Sequence, residues 1–337
     1  MPLTALPTWR TTVTRYRSFV IALCLLSCCV PAFASSIWGC VDQVSVSSYS
    51  NYLNNLLRTH NGNNRGNGTD HNAVRDAVAA QLQSFGLQTN IEHGTYGSIA
   101  YDNVVAVQQG SSHPNDIYIV GAHYDSVNNP GADDDGSGVA GMLETARILS
   151  QYRSDATIVF IAFDREEQGL IGSYGYNVTH AGANVLGMIE LDMIAYNPAG
   201  VNHGQAYVYG RPASDPWRTG AAAALATYGG LAMTVGGDLP RSDHAPFEAA
   251  GYDAALLIER AWNTNPNYHT QLDSVDTPNY IDYNYASNMT RGTVGFMADQ
   301  AGTYAPEPGT LALSGLALFG IIIRVRDRRR AAASKAA

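Results

Sequence analysis

The sequence has 337 residues, of which 45% are hydrophobic and 15% charged, and its formal net charge is −9. This apolar content excludes a disordered chain, and 33 glycines and 14 prolines are too few for a collagen-like or low-complexity protein. The acidic balance argues against nucleic acid as a partner, because phosphate binding needs a basic face.

Residues 1–34 have the pattern of a secretory signal peptide. Three arginines between positions 10 and 17 precede an apolar run over residues 19–29, and Ala32-Phe33-Ala34 fits a cleavage site. We therefore expect the mature chain to begin at Ser35. An uncleaved membrane anchor and a lipoprotein are the alternatives, but the apolar run is shorter than the ~20 residues of a spanning helix.

Helices and short apolar strands alternate along the rest of the chain. Helices are predicted over residues 41–58, 73–85, 138–149, 169–176, 214–228 and 280–300. Strands are predicted over residues 104–107, 117–122, 158–163, 185–191, 206–209 and 254–258. This alternation indicates an α/β fold with a mostly parallel mixed sheet and helices on both faces. Because nothing between the two ends of the chain has the composition of a linker, residues 35–305 are predicted to form a single domain.

The predicted mature region contains one cysteine, Cys40, so an internal disulfide framework is excluded. About 270 residues are enough for a substantial core. An exported protein without disulfides depends for its stability on that core or on bound metal.

Three predicted strands run directly into acidic or histidine side chains. The residues that follow them are His123 and Asp125, then Glu166 and Glu167, then Asp192. Because ligand sites in open α/β sheets form beyond the carboxyl ends of the strands, we expect these side chains to lie together.

The composition of this group is that of a metal site. Imidazole and carboxylate are the ligands of zinc sites with open positions, and two metals about 3.5–4 Å apart need a carboxylate that touches both. The acidic, glycine-flanked loop over residues 131–138 offers such a carboxylate, and His269 offers a second imidazole. One of Glu166 and Glu167 can bind metal while the other acts as general base.

In this order, the motifs resemble those of the bacterial leucyl aminopeptidase family of co-catalytic di-zinc metallopeptidases, whose zinc-peptidase-like fold is of the phosphorylase/hydrolase-like type. The resemblance rests on Gly-Ala-His-Tyr-Asp-Ser at 121–126, Gly-Ala-Asp-Asp-Asp-Gly-Ser-Gly at 131–138, Glu-Glu-Gln-Gly-Leu-Ile-Gly-Ser at 166–173, Leu-Asp-Met at 191–193, Ser-Asp-His-Ala at 242–245 and His-Thr at 269–270.

The resemblance implies two Zn²⁺ ions per chain. Asp134 would bridge the two ions, His123 and Asp192 would complete one site, and Glu167 and His269 would complete the other. The same ligand types also accept Co or Mn, so the sequence leaves the physiological metal open.

The resemblance also implies the reaction. Glu166 would be the general base, Asp125 would orient His123, and a cis peptide bond would follow Asp134. The expected activity is aminopeptidase hydrolysis, which removes the N-terminal residue of peptides with a free N-terminus through a metal-bridging hydroxide.

An apolar pocket for a leucine-like side chain is predicted beside the motifs. The candidates are Met193, Leu256, Ile258, Trp262 and Tyr268. Leu256 and Ile258 are equally well explained as strand core, so Met193, Trp262 and Tyr268 are the predicted substrate-binding residues. Asp243 and His244 are expected to support the pocket or the ligands, because adjacent residues cannot form a serine triad.

Residues 306–337 resemble the PEP-CTERM sorting signal of Gram-negative bacteria. Pro306-Glu307-Pro308 is followed by an apolar run over 309–323, predicted as a short transmembrane helix, and by five arginines within 324–330. The resemblance implies that an exosortase recognises and removes the segment. We expect transient anchoring in the inner membrane and then a location at the cell surface or outside the cell; an ordinary tail anchor is the alternative.

Three other functions stay open at this point. A carboxypeptidase or dipeptidase on the same scaffold would need a cation for the substrate carboxylate, and Arg241 and Arg260 are available. A glutaminyl cyclase would use the same metal ligands. A non-catalytic surface binding protein is the third, since a fold alone does not determine function.

Overall fold

The computed structural model describes residues 37–58, 64–200 and 202–304, all of which lie in one compact unit, Ser35–Pro306. The predicted signal peptide and the predicted sorting signal, with its transmembrane helix, lie outside the described residues. Within the described ranges, no helix is both long and apolar enough to cross a membrane.

The N-terminal helical region is interrupted, where the sequence predicts one continuous helix over residues 41–58. Helix α1 covers Ile37–Val41, and α2 covers Val46–Asn51 and continues as a π-helical segment, Tyr52–Leu57. Ser45 has extended backbone angles, and its side chain accepts a hydrogen bond from the Ser48 N–H. The prediction was wrong at this point because a residue that caps a helix N-terminus cannot continue the preceding helix.

An eight-stranded sheet occupies the centre of the structure. Its strands are β1 Gln88–Tyr96, β2 Ile99–Gln108, β3 His113–His123, β5 Ala156–Phe163, β6 Val185–Leu191, β7 Gln205–Tyr209, β8 Ala232–Val235 and β9 Ala254–Glu259. Their order is β1-β2-β5-β3-β6-β9-β7-β8. The four central strands β5, β3, β6 and β9 are parallel to one another, while β2 and β7 flank them antiparallel. The short strands β4 Arg153–Ser154 and β10 Thr303–Tyr304 pair separately.

Helices cover both faces of this sheet. They are α3 Gly68–Ser84, α4 Gly136–Leu149, α5 Ile171–Thr179, α6 Asp215–Gly229, α7 His244–Ala249 and α8 Tyr283–Gln300. Alternate residues of β5 enter different cores: Phe160 belongs to the larger core that contains α4, whereas Ile161 packs in the core that contains Tyr176 of α5 and Phe247 of α7. The predicted α/β fold, with a mostly parallel sheet between helices, is therefore confirmed.

The two edge strands of the eight-stranded sheet were not predicted, and neither were the short strands β4 and β10 or helix α7. Strand β1 is mostly polar and partly exposed, and it forms because it pairs with β2 along its whole length. Strand β8 has four residues, and α7 has six with Pro246 inside it. Apolar periodicity cannot identify elements this short or this polar.

The strand order determines where a site can form. Because β5, β3, β6 and β9 are adjacent and parallel, the segments that follow them emerge at the same edge of the sheet.

Candidate metal and catalytic site

His123 is the last residue of β3, and its side chain is almost completely buried. Its Nε2 atom lies 3.2 Å from Asp134 Oδ1 and 3.8 Å from Asp192 Oδ1. Asp192 follows β6, the neighbour of β3, so adjacent strands bring the two side chains together. The backbone N–H of His123 donates to Asp135 Oδ2 at 3.1 Å, which fixes the end of the strand.

Asp125 lies on the other side of the His123 ring. Its Oδ1 atom is 3.5 Å from His123 Nδ1, longer than a normal hydrogen bond. The same carboxylate accepts the backbone N–H groups of Glu166 at 3.1 Å and Glu167 at 3.3 Å. Asp125 thus connects the loop after β3 to the loop after β5.

The second histidine approaches Asp134 from the opposite direction. His269 Nε2 lies 3.0 Å from Asp134 Oδ2 and 3.1 Å from Glu167 Oε2. The other oxygen of Glu167 accepts the Val127 N–H at 3.2 Å. The two oxygens of Asp134 therefore face two different histidines.

The acids and histidines form two groups of three. His123, Glu166 and Asp192 offer one ligand atom each within 4.8 Å of one another, and so do Asp134, Glu167 and His269. Nitrogen and carboxylate oxygen are the donors that zinc takes in sites with open positions. The donor set and spacing of each group therefore fit a zinc ion. Because Asp134 Oδ1 lies 3.2 Å from His123 Nε2, the first group keeps three donors even when Glu166 is not a ligand.

The three aspartates of the loop before α4 have different surroundings. Asp133 accepts the Ala195 N–H at 2.9 Å and the Asn265 side-chain amide at 3.0 Å, and it is buried. Asp135 caps α4, where its Oδ1 accepts the N–H of Gly138 at 2.8 Å. The carboxylates of the two outer acids thus accept hydrogen bonds from N–H groups of the protein. The middle acid, Asp134, faces His123 and His269. The peptide bond after Asp134 is cis, as the resemblance implied.

The backbone around the site is closely packed and contains residues with unusual φ angles. A Cβ atom on Gly138 would lie 2.2 Å from the Leu191 carbonyl oxygen, so only glycine fits at the start of α4. Arg165, Met193 and His269 have positive φ angles, which non-glycine residues rarely adopt and which concentrate at functional sites.

Burial and neighbouring charges shift the pKa values of the site's acids and histidines. Burial favours protonation of Asp134, but hydrogen bonds with His123 and His269 prevail and hold the pKa of this carboxyl well below its usual range. Hydrogen bonds to Asp134 and then Glu167 raise the pKa of His269 to about 10. Burial raises the pKa of Glu166 well above its ordinary value, although nearby His123 opposes that shift.

A cleft opens beside the two groups. Its lining consists of Asp134, Glu166, Glu167, Asp192, Met193, Leu239, Arg241, Leu256, Ile258, Trp262 and Tyr268. All three predicted substrate-binding residues, Met193, Trp262 and Tyr268, therefore lie at the cleft. Leu256 and Ile258 line the cleft and also belong to a small buried apolar cluster with Met193.

The two arginines considered for a substrate carboxylate differ in position. Arg241 lines the cleft. The guanidinium of Arg260 lies 4.1 Å from the centre of the Tyr207 ring and is not part of the cleft lining.

Asp243 and His244 lie outside the cleft lining, in the protein interior. Asp243 accepts a hydrogen bond from the Ser173 hydroxyl, and burial raises the pKa of Asp243 to about 7. Burial lowers the pKa of His244 to about 3.

Sequence reasoning missed two buried residues behind the site. Asp273 accepts the backbone N–H groups of Asp133 and Asp134. Arg65 is 1% exposed and donates to the carbonyl oxygens of Tyr124 and Pro130. Asp273 follows His269 closely in the sequence, which was a usable signal; Arg65 lies in a polar, glycine-rich loop and gave none.

Comparison with known proteins agrees with this fold. Residues 103–297, more than half of the chain, match peptidase family M28, and the chain belongs to that family. Aminopeptidase YwaD of Bacillus subtilis is 36% identical over 185 residues, 52% of this chain and 40% of that protein. A probable zinc metalloprotease of Pyrenophora teres f. teres is 47% identical over 107 residues, 28% of this chain and 23% of that protein. The chain thus spans less than half the length of these curated relatives.

Solved structures share the fold. The LapA aminopeptidase of Legionella pneumophila superimposes with a TM-score of 0.68 at 20% identity, over 79% of this chain and 74% of that chain. The glutaminyl cyclase of Porphyromonas gingivalis does so with a TM-score of 0.62 at 22% identity, over 76% and 98% of the two chains.

The C-terminal segment has its own match. Residues 305–330 match the PEP-CTERM protein-sorting motif, which agrees with the resemblance seen in the sequence. The motif indicates export to the cell surface and processing by an exosortase.

Proposed function

We propose that this chain is an exported di-zinc aminopeptidase that removes the N-terminal residue of peptides. The observation that carries the proposal is the position of Asp134, whose two carboxylate oxygens face His123 and His269 at 3.2 Å and 3.0 Å. A carboxylate held in this way is what a pair of metal ions about 3.5–4 Å apart requires.

Five residues would hold the two zinc ions. They are His123 and Asp192 on one side, Glu167 and His269 on the other, and Asp134 between them. When bound, the ions supply water activation near neutral pH and electrostatic stabilisation of the carbonyl oxygen under attack.

Glu166 is the proposed general base. It lines the cleft, and Asp125 holds its backbone N–H in place. Its carboxylate takes the proton of the attacking water and then gives that proton to the amine that leaves when the peptide bond breaks. The burial that raises the pKa of Glu166 strengthens its ability to accept a proton.

The cleft favours the first residue of a peptide. The acidic lining of the cleft favours a free α-amine, which an N-blocked or internal residue lacks. Met193, Trp262 and Tyr268, together with Leu256 and Ile258, form the apolar part of the lining. This arrangement suits a leucine-like side chain.

A metal assay paired with a substrate panel tests the proposal. Two zinc ions per chain and chelator-sensitive hydrolysis of Leu-p-nitroanilide, with no hydrolysis of its N-acetylated form, support it. Preferred release of a C-terminal residue from N-blocked peptides would instead favour a carboxypeptidase that uses Arg241. Ammonia release from peptides with N-terminal glutamine would favour a glutaminyl cyclase. A metal count near zero would favour a binding protein.

The proposal also assigns roles to the N-terminal and C-terminal segments. We propose that residues 1–34 direct export and are removed, that residues 35–305 form the peptidase domain, and that residues 306–337 anchor the protein transiently in the inner membrane. N-terminal sequencing and the intact mass of the protein from the cell surface and the medium test these boundaries. A surface form that retains residues 306–337 would contradict them.

A further inference from the structure

Asp273 is a fully buried carboxylate that contacts the backbone of the aspartate loop. It is 0% exposed. Its Oδ1 atom accepts the N–H of Asp133 at 2.7 Å, and its Oδ2 atom accepts the N–H of Asp134 at 3.2 Å. Each oxygen is therefore used by one of two consecutive peptide groups, which fixes the backbone from which the Asp134 side chain projects.

His269 lies in the same loop as Asp273. This loop is hydrogen-bonded to the loop that carries Asp134. The Ala132 N–H donates to the Asp273 carbonyl oxygen at 3.1 Å. The Asn129 side-chain amide donates to the Thr270 carbonyl oxygen at 3.2 Å. His269, at one end of this segment, reaches Asp134 directly. Both members of the His269–Asp134 pair thus depend on one short stretch of chain.

A positive charge accompanies this buried carboxylate. Arg65 is itself buried, and Asp273 and Asp134 are among the acids that act on its charge. Its Nε and Nη1 atoms donate to the carbonyl oxygens of Tyr124 and Pro130, on the loop that leads to Asp134. The guanidinium therefore fixes the same loop that Asp273 contacts.

We propose that Asp273 is a positioning residue, which holds the Asp134 carboxylate between His123 and His269. The inference rests on the metal pair of the proposed function but not on its substrate. Residues that orient metal ligands from behind alter metal affinity by about 10–100-fold when they are replaced.

Asp273→Asn is the most informative variant. Asparagine has nearly the same size, but only one of its two terminal atoms accepts a hydrogen bond, so one of the two N–H groups loses its partner. Asp273→Glu keeps the charge and both acceptors and displaces them by one methylene. Asp282→Asn is the control. Asp282 Oδ1 accepts the backbone N–H groups of Asn284 and Tyr285 at the start of α8, and its Oδ2 accepts the Asn197 side-chain amide, so this substitution also removes one hydrogen-bond acceptor, but away from the aspartate loop.

The experiment measures metal binding without substrate. Zinc affinity is obtained by competition with a chelator, and the geometry of the site from the visible absorption of the Co²⁺-loaded protein. We expect Asp273→Asn to bind zinc at least about tenfold more weakly than the wild type, with an altered Co²⁺ spectrum. Asp282→Asn is expected to lower thermal stability while it keeps wild-type affinity and spectrum.

Several outcomes would overturn the inference. The first is that Asp273→Asn binds zinc with wild-type affinity and has a wild-type Co²⁺ spectrum. If that variant does not fold, as judged by circular dichroism, Asp273→Glu is measured in its place, and wild-type behaviour there counts in the same way. Failure of both variants to fold even with zinc present would make Asp273 a purely structural residue. A wild type that binds no zinc overturns the inference and the proposed function together, whereas a wild type that binds two zinc ions but hydrolyses no peptide overturns only the function.

Discussion

His269 places its Nε2 atom 3.0 Å from Oδ2 of Asp134, although the two residues lie far apart in the sequence. Asp134 belongs to the loop between β3 and α4, and His269 to the long loop after β9. The other oxygen of Asp134 faces His123 at the end of β3. One carboxylate thus joins two clusters of ligands that come from separate parts of the chain.

Replacement of Glu166 by glutamine separates proton transfer from metal binding. The amide keeps the size of the side chain but cannot accept a proton from water, so we expect turnover of Leu-p-nitroanilide to fall by at least about a hundredfold. The zinc content is expected to stay at the wild-type value. Glu92→Gln, on the edge strand β1, is the control and should leave turnover unchanged. A near-normal rate in Glu166→Gln would remove Glu166 from the role of general base, and loss of zinc would make it a ligand.

Trp262 is expected to determine the preference for large apolar side chains. It lines the cleft and packs edge-on against Tyr209. For Trp262→Ala we expect kcat/KM for Leu-p-nitroanilide to fall about tenfold relative to kcat/KM for Ala-p-nitroanilide. Trp38→Ala serves as the control, because Trp38 is 45% exposed and is not part of the cleft lining. Equal losses on both substrates would place Trp262 outside the pocket for the first side chain.

Arg65→Lys tests the buried guanidinium behind the aspartate loop. A lysine has a single ammonium group, which cannot reach the two carbonyl oxygens that Nε and Nη1 of Arg65 contact. We expect the free energy of unfolding in urea to decrease by about 2 kcal/mol. The control is Arg58→Lys at a half-exposed ion pair with Asp276, where a change within about 0.5 kcal/mol is expected. Equal, small changes in the two variants would contradict the structural role of Arg65.

His244 should make stability depend on pH. In the unfolded chain histidine takes up a proton near pH 6.5, whereas burial lowers the pKa of His244 in the folded chain to about 3. Between these values the unfolded state binds one more proton, so His244 lowers stability as pH falls. From pH 7 to pH 4.5, the free energy of unfolding of His244→Gln should rise relative to wild type by on the order of 2 kcal/mol.

The matched control for this measurement is His113→Gln at the exposed start of β3. Urea unfolding of the three proteins at both pH values gives the comparison. A difference between wild type and His244→Gln that does not change with pH would show that His244 does not titrate in this way.

The sequence predicts the central part of the fold because its strands are continuous apolar runs. β5 is buried at every position, and β6 matches its predicted bounds at both ends. The edge strand β1 and the break at Ser45 depend on pairing and capping, which apolar patterning does not record. The residues of the candidate site were also predictable, from the strand ends and the acidic loop. Parallel strands bring the residues that follow them to one edge of the sheet.

What the sequence could not show is how the site is held. Nothing in the polar loop around Arg65 indicates that its guanidinium is buried, because arginine is normally exposed. The different surroundings of Asp133 and Asp135 arise from N–H groups of distant segments, such as those of Ala195 and His123. Such contacts follow from the folded arrangement of loops and have no local pattern.

The most direct test of the central claim is an anomalous-difference map, recorded at the zinc absorption edge, of crystals of the zinc-loaded protein. The account predicts two peaks about 3.5–4 Å apart, one beside His123 and Asp192 and the other beside Glu167 and His269, with one oxygen of Asp134 directed at each. A single peak, or two peaks that Asp134 does not contact, would contradict it.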